Sequence, residues 1–265
     1  MEVNGKEELL RTKMMDRGSL LIAFSGGADS SLLAAIAREV LGDRCRALLL
    51  ESPVVPGAAI RQAQETAAAL GIPLEVIPVP LMEEENFLAN PADRCYFCKK
   101  ISARILKERA RELGLACVAD GTSASDLGEH RPGIRAGSEE GIVHPFVEAG
   151  MTKEDIRAVA RRRGFVFWNK PSDACLASRI PYGERITAER LRMIEDAEGY
   201  LHILGFTQVR VRLHGGIARI EVIPEEMEKL LKERAVIVNA FRSIGFRYVT
   251  VDLGGYRTGS MDEVL

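Results

Sequence analysis

The sequence predicts an α/β fold, a doubly wound parallel sheet, with a smaller C-terminal α+β domain. Three observations carry that prediction. Short apolar runs alternate with helix-period segments between residues 20 and 168. The first run ends in a glycine-serine loop, Ser25-Gly26-Gly27-Ala28-Asp29-Ser30-Ser31. A segment beginning at Leu204 returns as a near copy beginning at Ile244, so the rest of the chain has a different architecture.

Leu20 to Phe24 is an apolar run of the kind a buried parallel strand shows. From Ser30 to Val40 the apolar side chains fall at 32, 33, 36 and 40, a helical spacing stopped by Gly42. Arg46 to Leu50 reads as a second strand closed by Ser52-Pro53. Ala58 to Leu70 reads as an Ala-rich helix with Gly71 just past its end. Leu74 to Val79 is a third strand, and its prolines put it toward the sheet edge. Tyr96 to Leu113 follows as a helix, and Leu115 to Ala119 as a strand ending at Asp120-Gly121-Thr122. Thr152 and Asp155 have the spacing of a capping box and open a helix that runs to Arg163. Phe165 to Trp168 is the last strand of this half. Strands alternating with helices give a parallel sheet covered on both faces. Beyond Pro181-Tyr182-Gly183, Thr187 caps a helix to about Leu204. Each copy of the repeated segment follows a helix, which sets one domain at 1–174 and a second at 175–265.

Composition narrows the class. At roughly 150 residues per domain, 265 residues make one large domain and an appendage. Hydrophobic residues at 46% and charged residues at 28% exclude a disordered or fibrous chain. The 36 Lys and Arg nearly cancel 38 Asp and Glu, leaving −2, which argues against a strongly basic nucleic-acid binder. No stretch reaches the roughly 18 apolar residues of a membrane helix. The start, Met1 to Glu8, is polar and acidic, unlike a signal peptide. A cytoplasmic protein is expected, and its five cysteines do not suggest a disulfide framework.

The glycine loop stands where a strand hands over to a helix N-terminus, a place that favours phosphate. Gly26 and Gly27 let the backbone approach oxygens that a Cβ would block. Ser25, Ser30 and Ser31 can add hydroxyl donors, and Asp29 can hold Mg²⁺ against the same phosphates. The loop lacks the Gly-Lys-Ser/Thr of a Walker A motif and the GxGxxG of dinucleotide sites. A tight turn with a Ser/Asp helix cap is the competing reading. SGGxDS after a first strand resembles the PP-loop of ATP pyrophosphatases, and Asp120 to Asp126 looks like their second nucleotide-proximal segment, with Gly121 and Thr122 at the nucleotide. That resemblance implies the adenine nucleotide α-hydrolase-like fold and cleavage of ATP to AMP and pyrophosphate as a substrate is adenylated.

Cys95-Tyr96-Phe97-Cys98 opens a helix, with spacing that puts both thiols on one face of a turn. Alone it also fits a redox pair or half a zinc site. Cys175 lies in Lys170-Pro171-Ser172-Asp173-Ala174-Cys175-Leu176-Ala177-Ser178-Arg179. It is expected to reach Cys95 and Cys98 because it follows the strand placed at 165–168. Three thiolates lack the fourth ligand of a structural zinc site, whereas an Fe–S cluster held by three cysteines keeps one iron open. Cys45 and Cys117 read as core.

Over nearly its whole length the chain resembles the LarE-type ATP-dependent sulfur transferases. The resemblance rests on the PP-loop, Arg131-Pro132-Gly133, Lys170-Pro171-Ser172 and the run Ala174-Cys175-Leu176-Ala177-Ser178-Arg179-Ile180-Pro181-Tyr182-Gly183. It implies that a carboxylate of a pyridinium mononucleotide is adenylated and becomes a thiocarboxylate in nickel-pincer nucleotide cofactor biosynthesis. It implies a homo-oligomer and hydrosulfide or another sulfur donor, while charge and hydropathy argue against a nucleic-acid or membrane partner. Some members give up the sulfur of the cysteine matching Cys175. Members with an added CxxC look like [4Fe–4S] enzymes, and Cys95, Cys98 and Cys175 together match that version.

Val209-Arg210-Val211-Arg212-Leu213 alternates, so Arg210 and Arg212 share a strand face. They can clamp a phosphate or belong to a solvated face. The resemblance places Arg210, Arg212 and Glu221 near the substrate phosphate. His144, His202 and His214 have no ligand spacing, and Arg161-Arg162-Arg163 suits a helix C-terminus better than RNA. A tRNA-thiolating PP-loop enzyme and a non-catalytic protein with structural zinc stay open as rivals.

Overall fold

The structure, a computed structural model, describes residues 2–128, 132–170, 175–257 and 261. Arg131, Pro171, Ser172, Asp173 and Ala174 of the motifs above lie outside the described residues. Two compact units result, Met1–Leu81 with Asp93–Asp173 and Met82–Ala92 with Ala174–Leu265.

In chain order the elements are α1 (Val3–Arg17), β1 (Leu20–Ala23), α2 (Ala28–Leu41), β2 (Cys45–Glu51), α3 (Gly57–Ala69), β3 (Leu74–Pro78), α4 (Glu85–Leu88), α5 (Arg94–Glu112) and β4 (Cys117–Ala119). They continue as α6 (Pro132–Glu139), α7 (Pro145–Glu148), α8 (Lys153–Arg162), α9 (Ala188–Ile203), β5 (Val209–His214), β6 (Ile217–Val222), α10 (Met227–Lys232), α11 (Arg234–Ile244) and β7 (Tyr248–Val251).

The first unit is a parallel sheet in the order β3-β2-β1-β4. Side-chain alternation decides which helix covers which face. Leu20 and Ile22 of β1 join Leu32, Leu33 and Ile36 of α2 and Ile156 and Val159 of α8. Leu21 turns the other way, to Ala103, Leu106 and Ala110 of α5. The sheet is therefore wound on both sides. β1 lies between β2 and β4, and the segments that follow β1 and β4 meet at their carboxyl ends, where open α/β sheets bind ligands.

One expected element is absent. Residues 165–168 are not a strand: Val166–Asn169 is a 3₁₀ turn in which Phe165 and Phe167 stack and Val166 is 96% exposed. An apolar run of four does not by itself distinguish a strand from a turn that buries alternate rings. The sheet instead extends by a parallel bridge between Ala119 and Val143. The route by which Cys175 was to reach Cys95 and Cys98, the end of a strand at Trp168, is therefore absent. α1, conversely, has no counterpart among the expected elements. It buries Glu7, Leu10 and Met14, and Glu7 is held by Arg162 and Arg163 at the end of α8. Those arginines close a helix–helix contact. Thr152 makes the capping box expected with Asp155.

The second unit is a three-stranded sheet in the order β5-β6-β7, antiparallel across β5 and β6 and parallel across β6 and β7. The repeated Gly-Phe has one structural job in both copies. Gly205 and Gly245, at φ 79 and 122, end α9 and α11, and Phe206 and Phe246 fold back into the core at 2% exposure. The segment Met82–Ala92 joins this unit through the fully buried Asn90, whose Nδ2 donates to the carbonyls of Pro181 at 2.8 Å and Glu184 at 3.0 Å. Among the described residues no helix is long and apolar enough to cross a membrane.

Candidate functional site

The loop after β1 is built for a close approach. Gly26 has φ 71, and a Cβ there would stand 2.6 Å from Ala63 Cα of α3. Gly27 is the N-cap of α2 and provides no side-chain hydrogen bond. The N-cap residue thus supplies no side-chain cap to the first-turn N–H groups, which a helix cannot pair internally. Ser25 N–H donates to Ser30 Oγ at 3.2 Å, and Ser30 Oγ donates to the Gly27 carbonyl at 3.3 Å, so the loop's own hydroxyls fix its shape. Ser25 is exposed, Asp29 half-buried, and Ser30 and Ser31 buried. Ser31 Oγ has no partner among the described residues.

The segment after β4 closes on this loop. A Cβ on Gly121 would lie 2.9 Å from Ser30 N, so glycine is what lets it pass the first turn of α2. Thr122 N–H donates to Asp120 Oδ1 at 3.1 Å. Lys170 Nζ donates to the Gly26 carbonyl at 3.1 Å and brings a cation to the loop. Its place in the Lys170-Pro171-Ser172 run gives no sign of this contact.

Asp120 ties this region to the thiol-bearing helix. It receives Lys99 Nζ of α5 at 2.7 Å and His144 Nδ1 at 2.7 Å. A carboxylate only accepts, so Nδ1 carries the proton, and His144 Nε2 faces Ser138 Oγ at 3.2 Å. Burial pushes the Asp120 carboxyl up, but the His144 hydrogen bond and the Lys99 charge outweigh it and hold the group well below the usual carboxylate range. Sequence spacing missed this triad because its members are far apart along the chain.

Cys95 is exposed and Cys98 half-buried in the first turns of α5, one residue before Lys99. Among the described residues no group of three or more His, Cys, Asp and Glu is placed to hold a metal ion. Cys175 belongs to the second unit, is exposed, and precedes the 3₁₀ segment Leu176–Arg179. Cys45 is buried, and burial pushes its thiol up to about 12. Cys117 is only half-buried, so the core assignment holds for Cys45 more fully.

The second unit carries the arginine face. Arg212 donates to Glu221 Oε2 at 2.8 Å and to the Ser178 carbonyl at 3.1 Å, and Arg219 reaches Glu221 Oε1 at 3.1 Å. Arg179 and Glu198 form a buried fork with two bonds of 2.9 Å. Arg210 makes no ion pair among the described residues and lies over the Tyr256 ring at 5.2 Å. Burial and the neighbouring Arg179 hold its charge less firmly than usual. An anion there would offset both effects.

A parallel sheet with a capless glycine loop, a second glycine segment packed on it and no Walker A lysine defines a PP-loop enzyme that adenylates with ATP. The NAD synthase family model matches residues 2–122. The chain is 35% identical over 261 residues to the pyridinium-3,5-bisthiocarboxylic acid mononucleotide synthase of Lactiplantibacillus plantarum, covering 98% of this chain and 95% of that one. It is 40% identical over 265 residues to an uncharacterized protein of Synechocystis, 99% of each. A tRNA-specific 2-thiouridylase of Leptospira interrogans is 26% identical over 192 residues, 57% of this chain and 50% of that one. The chain belongs to the LarE-type family of ATP-dependent sulfur transferases.

Proposed function

We propose that this sulfur transferase adenylates a carboxylate of a pyridinium mononucleotide and converts it to a thiocarboxylate during assembly of a nickel-pincer nucleotide. The observation that carries the reading is the Lys99–Asp120 pair, which fastens the CxxC helix to the residue preceding Gly121. Thiols and nucleotide loop thus belong to one rigid construction, as activation followed by sulfur entry requires.

In this reading Ser25, Gly26, Gly27, Ser30 and Ser31 surround the ATP phosphates with Gly121 and Thr122, and Asp29 takes Mg²⁺. The substrate carboxylate attacks the α-phosphorus, the bond to the bridging oxygen breaks, and pyrophosphate leaves. Hydrosulfide then attacks the acyl carbon and AMP departs with its bonding electron pair. Lys170 adds positive charge at the loop as the leaving group develops. Arg210 and Arg212 hold the substrate phosphate, and Glu221 orients Arg212. Residues 1–174 carry adenylation and 175–265 hold substrate. Cys95, Cys98 and Cys175 would ligate a [4Fe–4S] cluster, which supplies an open iron for hydrosulfide when bound. We take the working form to be a cytoplasmic homo-oligomer. The exposed Tyr248 and Leu253, in and just beyond edge strand β7, support self-association.

Anaerobic turnover tests this. Pyrophosphate release should depend on the pyridinium substrate, and Cys95→Ser should lose iron and brown colour. An intact chain mass after many turnovers is expected. A chain lighter by one H₂S would instead make Cys175 a sacrificial donor, and release driven by tRNA would overturn the substrate.

A further inference from the structure

β5 does not stop at two arginines. Its apolar residues Val209, Val211 and Leu213 are buried in the core, so Arg210, Arg212 and His214 share the opposite face. Neighbours on that face are about 6.8 Å apart, within reach of one phosphate-sized group for the longer side chains. His214 Nε2 is buried and has no hydrogen-bond partner among the described residues. A buried ring nitrogen without a partner is costly, and a bound ion is one of the things that can satisfy it.

The charges around His214 are mixed. Arg212 on its own strand and Arg219 on β6 oppose a charge on the ring, while Glu221 on β6 and Glu184 before α9 favour it. Burial, followed by Arg219, wins and holds the imidazole below its usual range. The ring is therefore neutral at neutral pH, and its protonation is opposed by the same positive field that would draw an anion to Arg210 and Arg212. A dianion cancels that field.

We infer that His214 is a positioning residue of the anion site, taking up a proton as a dianionic phosphate group arrives and donating a hydrogen bond to it. The step moves one proton from solvent to the ring and forms no covalent bond. It favours a dianion over a monoanion, and hence a phosphate monoester over a diester. This rests on the proposed phosphate role of Arg210 and Arg212 and extends it.

Sulfate tests the coupling, since it stays dianionic across the range where imidazole titrates. The His214 ring signal, assigned through bonds in the wild-type protein, should titrate below about 6.5 without sulfate and move upward with it. Guanidinium Nε–H signals of Arg210 and Arg212 report anion arrival independently. Sulfate should bind several-fold more tightly near pH 5.5 than near pH 8, approaching the limit of about tenfold set by one added charge facing a dianion at about 6 Å in water. In His214→Asn that dependence should vanish. If the arginine signals respond and the ring does not, the inference falls and the phosphate site stands. If neither responds, both fall.

Discussion

At the scale of single residues, Asp120 is the group on which most depends. It is 5% exposed and answers two donors on different segments, Lys99 on α5 and His144 beyond β4. Replacing one partner of such a buried pair leaves the others unmatched, at a cost on the order of 3 kcal/mol. Asp120→Asn should destabilise the protein by that amount at neutral pH. The sign with acid follows from its depressed carboxyl: the stability is present above the ordinary carboxylate value of about 4 and is lost as pH falls below it. The gap between wild type and Asp120→Asn in chemical denaturation should therefore narrow below about pH 4. A gap that stays constant through that range would remove Asp120 as the charged tie.

At the scale of elements, the two glycine segments make a sharper test than any side chain. Gly121 does not lie in the left-handed region, so an alanine there is opposed by its neighbours alone, Ser30 N at 2.9 Å and Asp29 C and Cβ at 3.1 and 3.2 Å, the first turn of α2. Either α2 or the segment after β4 must give way, at about 1–3 kcal/mol for overpacking. Gly121→Ala should raise the KM for ATP about tenfold or more, within that energy range. Gly199, inside α9 with nothing within 4 Å, provides the control. Gly199→Ala should add about 0.5–1 kcal/mol of stability and leave KM unchanged. Equal effects from both would mean the contact does not shape the nucleotide site. The same elements show what a sequence discloses. β1, α2, β2, α3 and β3 are legible because period and punctuation agree, and Gly26-Gly27 announces the loop. α1 is not, because it docks by burying a carboxylate between two arginines, a contact no hydrophobic pattern reports. Residues 165–168 mislead because stacked Phe165 and Phe167 imitate strand alternation. Lys170 and His144 are chemically ordinary in sequence and gain meaning only from where the fold delivers them.

At the scale of the whole molecule, the chain consists of two units of different architecture, and the proposed division of labour between them can be measured without substrate. The first unit offers backbone N–H groups and a lysine at the end of a parallel sheet. The second offers guanidiniums braced by buried Glu198 and Glu221. A ligand that binds only the native state stabilises what it binds by about 2.7 kcal/mol at a hundred times its Kd. Hydrogen exchange reads that gain segment by segment, and local openings keep the reading regional. Mg²⁺ with a non-hydrolysable ATP analogue should protect the amides of β1, the first turn of α2 and the segment after β4. Sulfate should protect β5 and β6 instead. The guanidinium face is already partly neutralised by its own carboxylates, so the sulfate effect should be the smaller and should fade as chloride screens it. Protection by the ATP analogue centred on β5 and β6 would reverse the assignment and make the arginine face the triphosphate site.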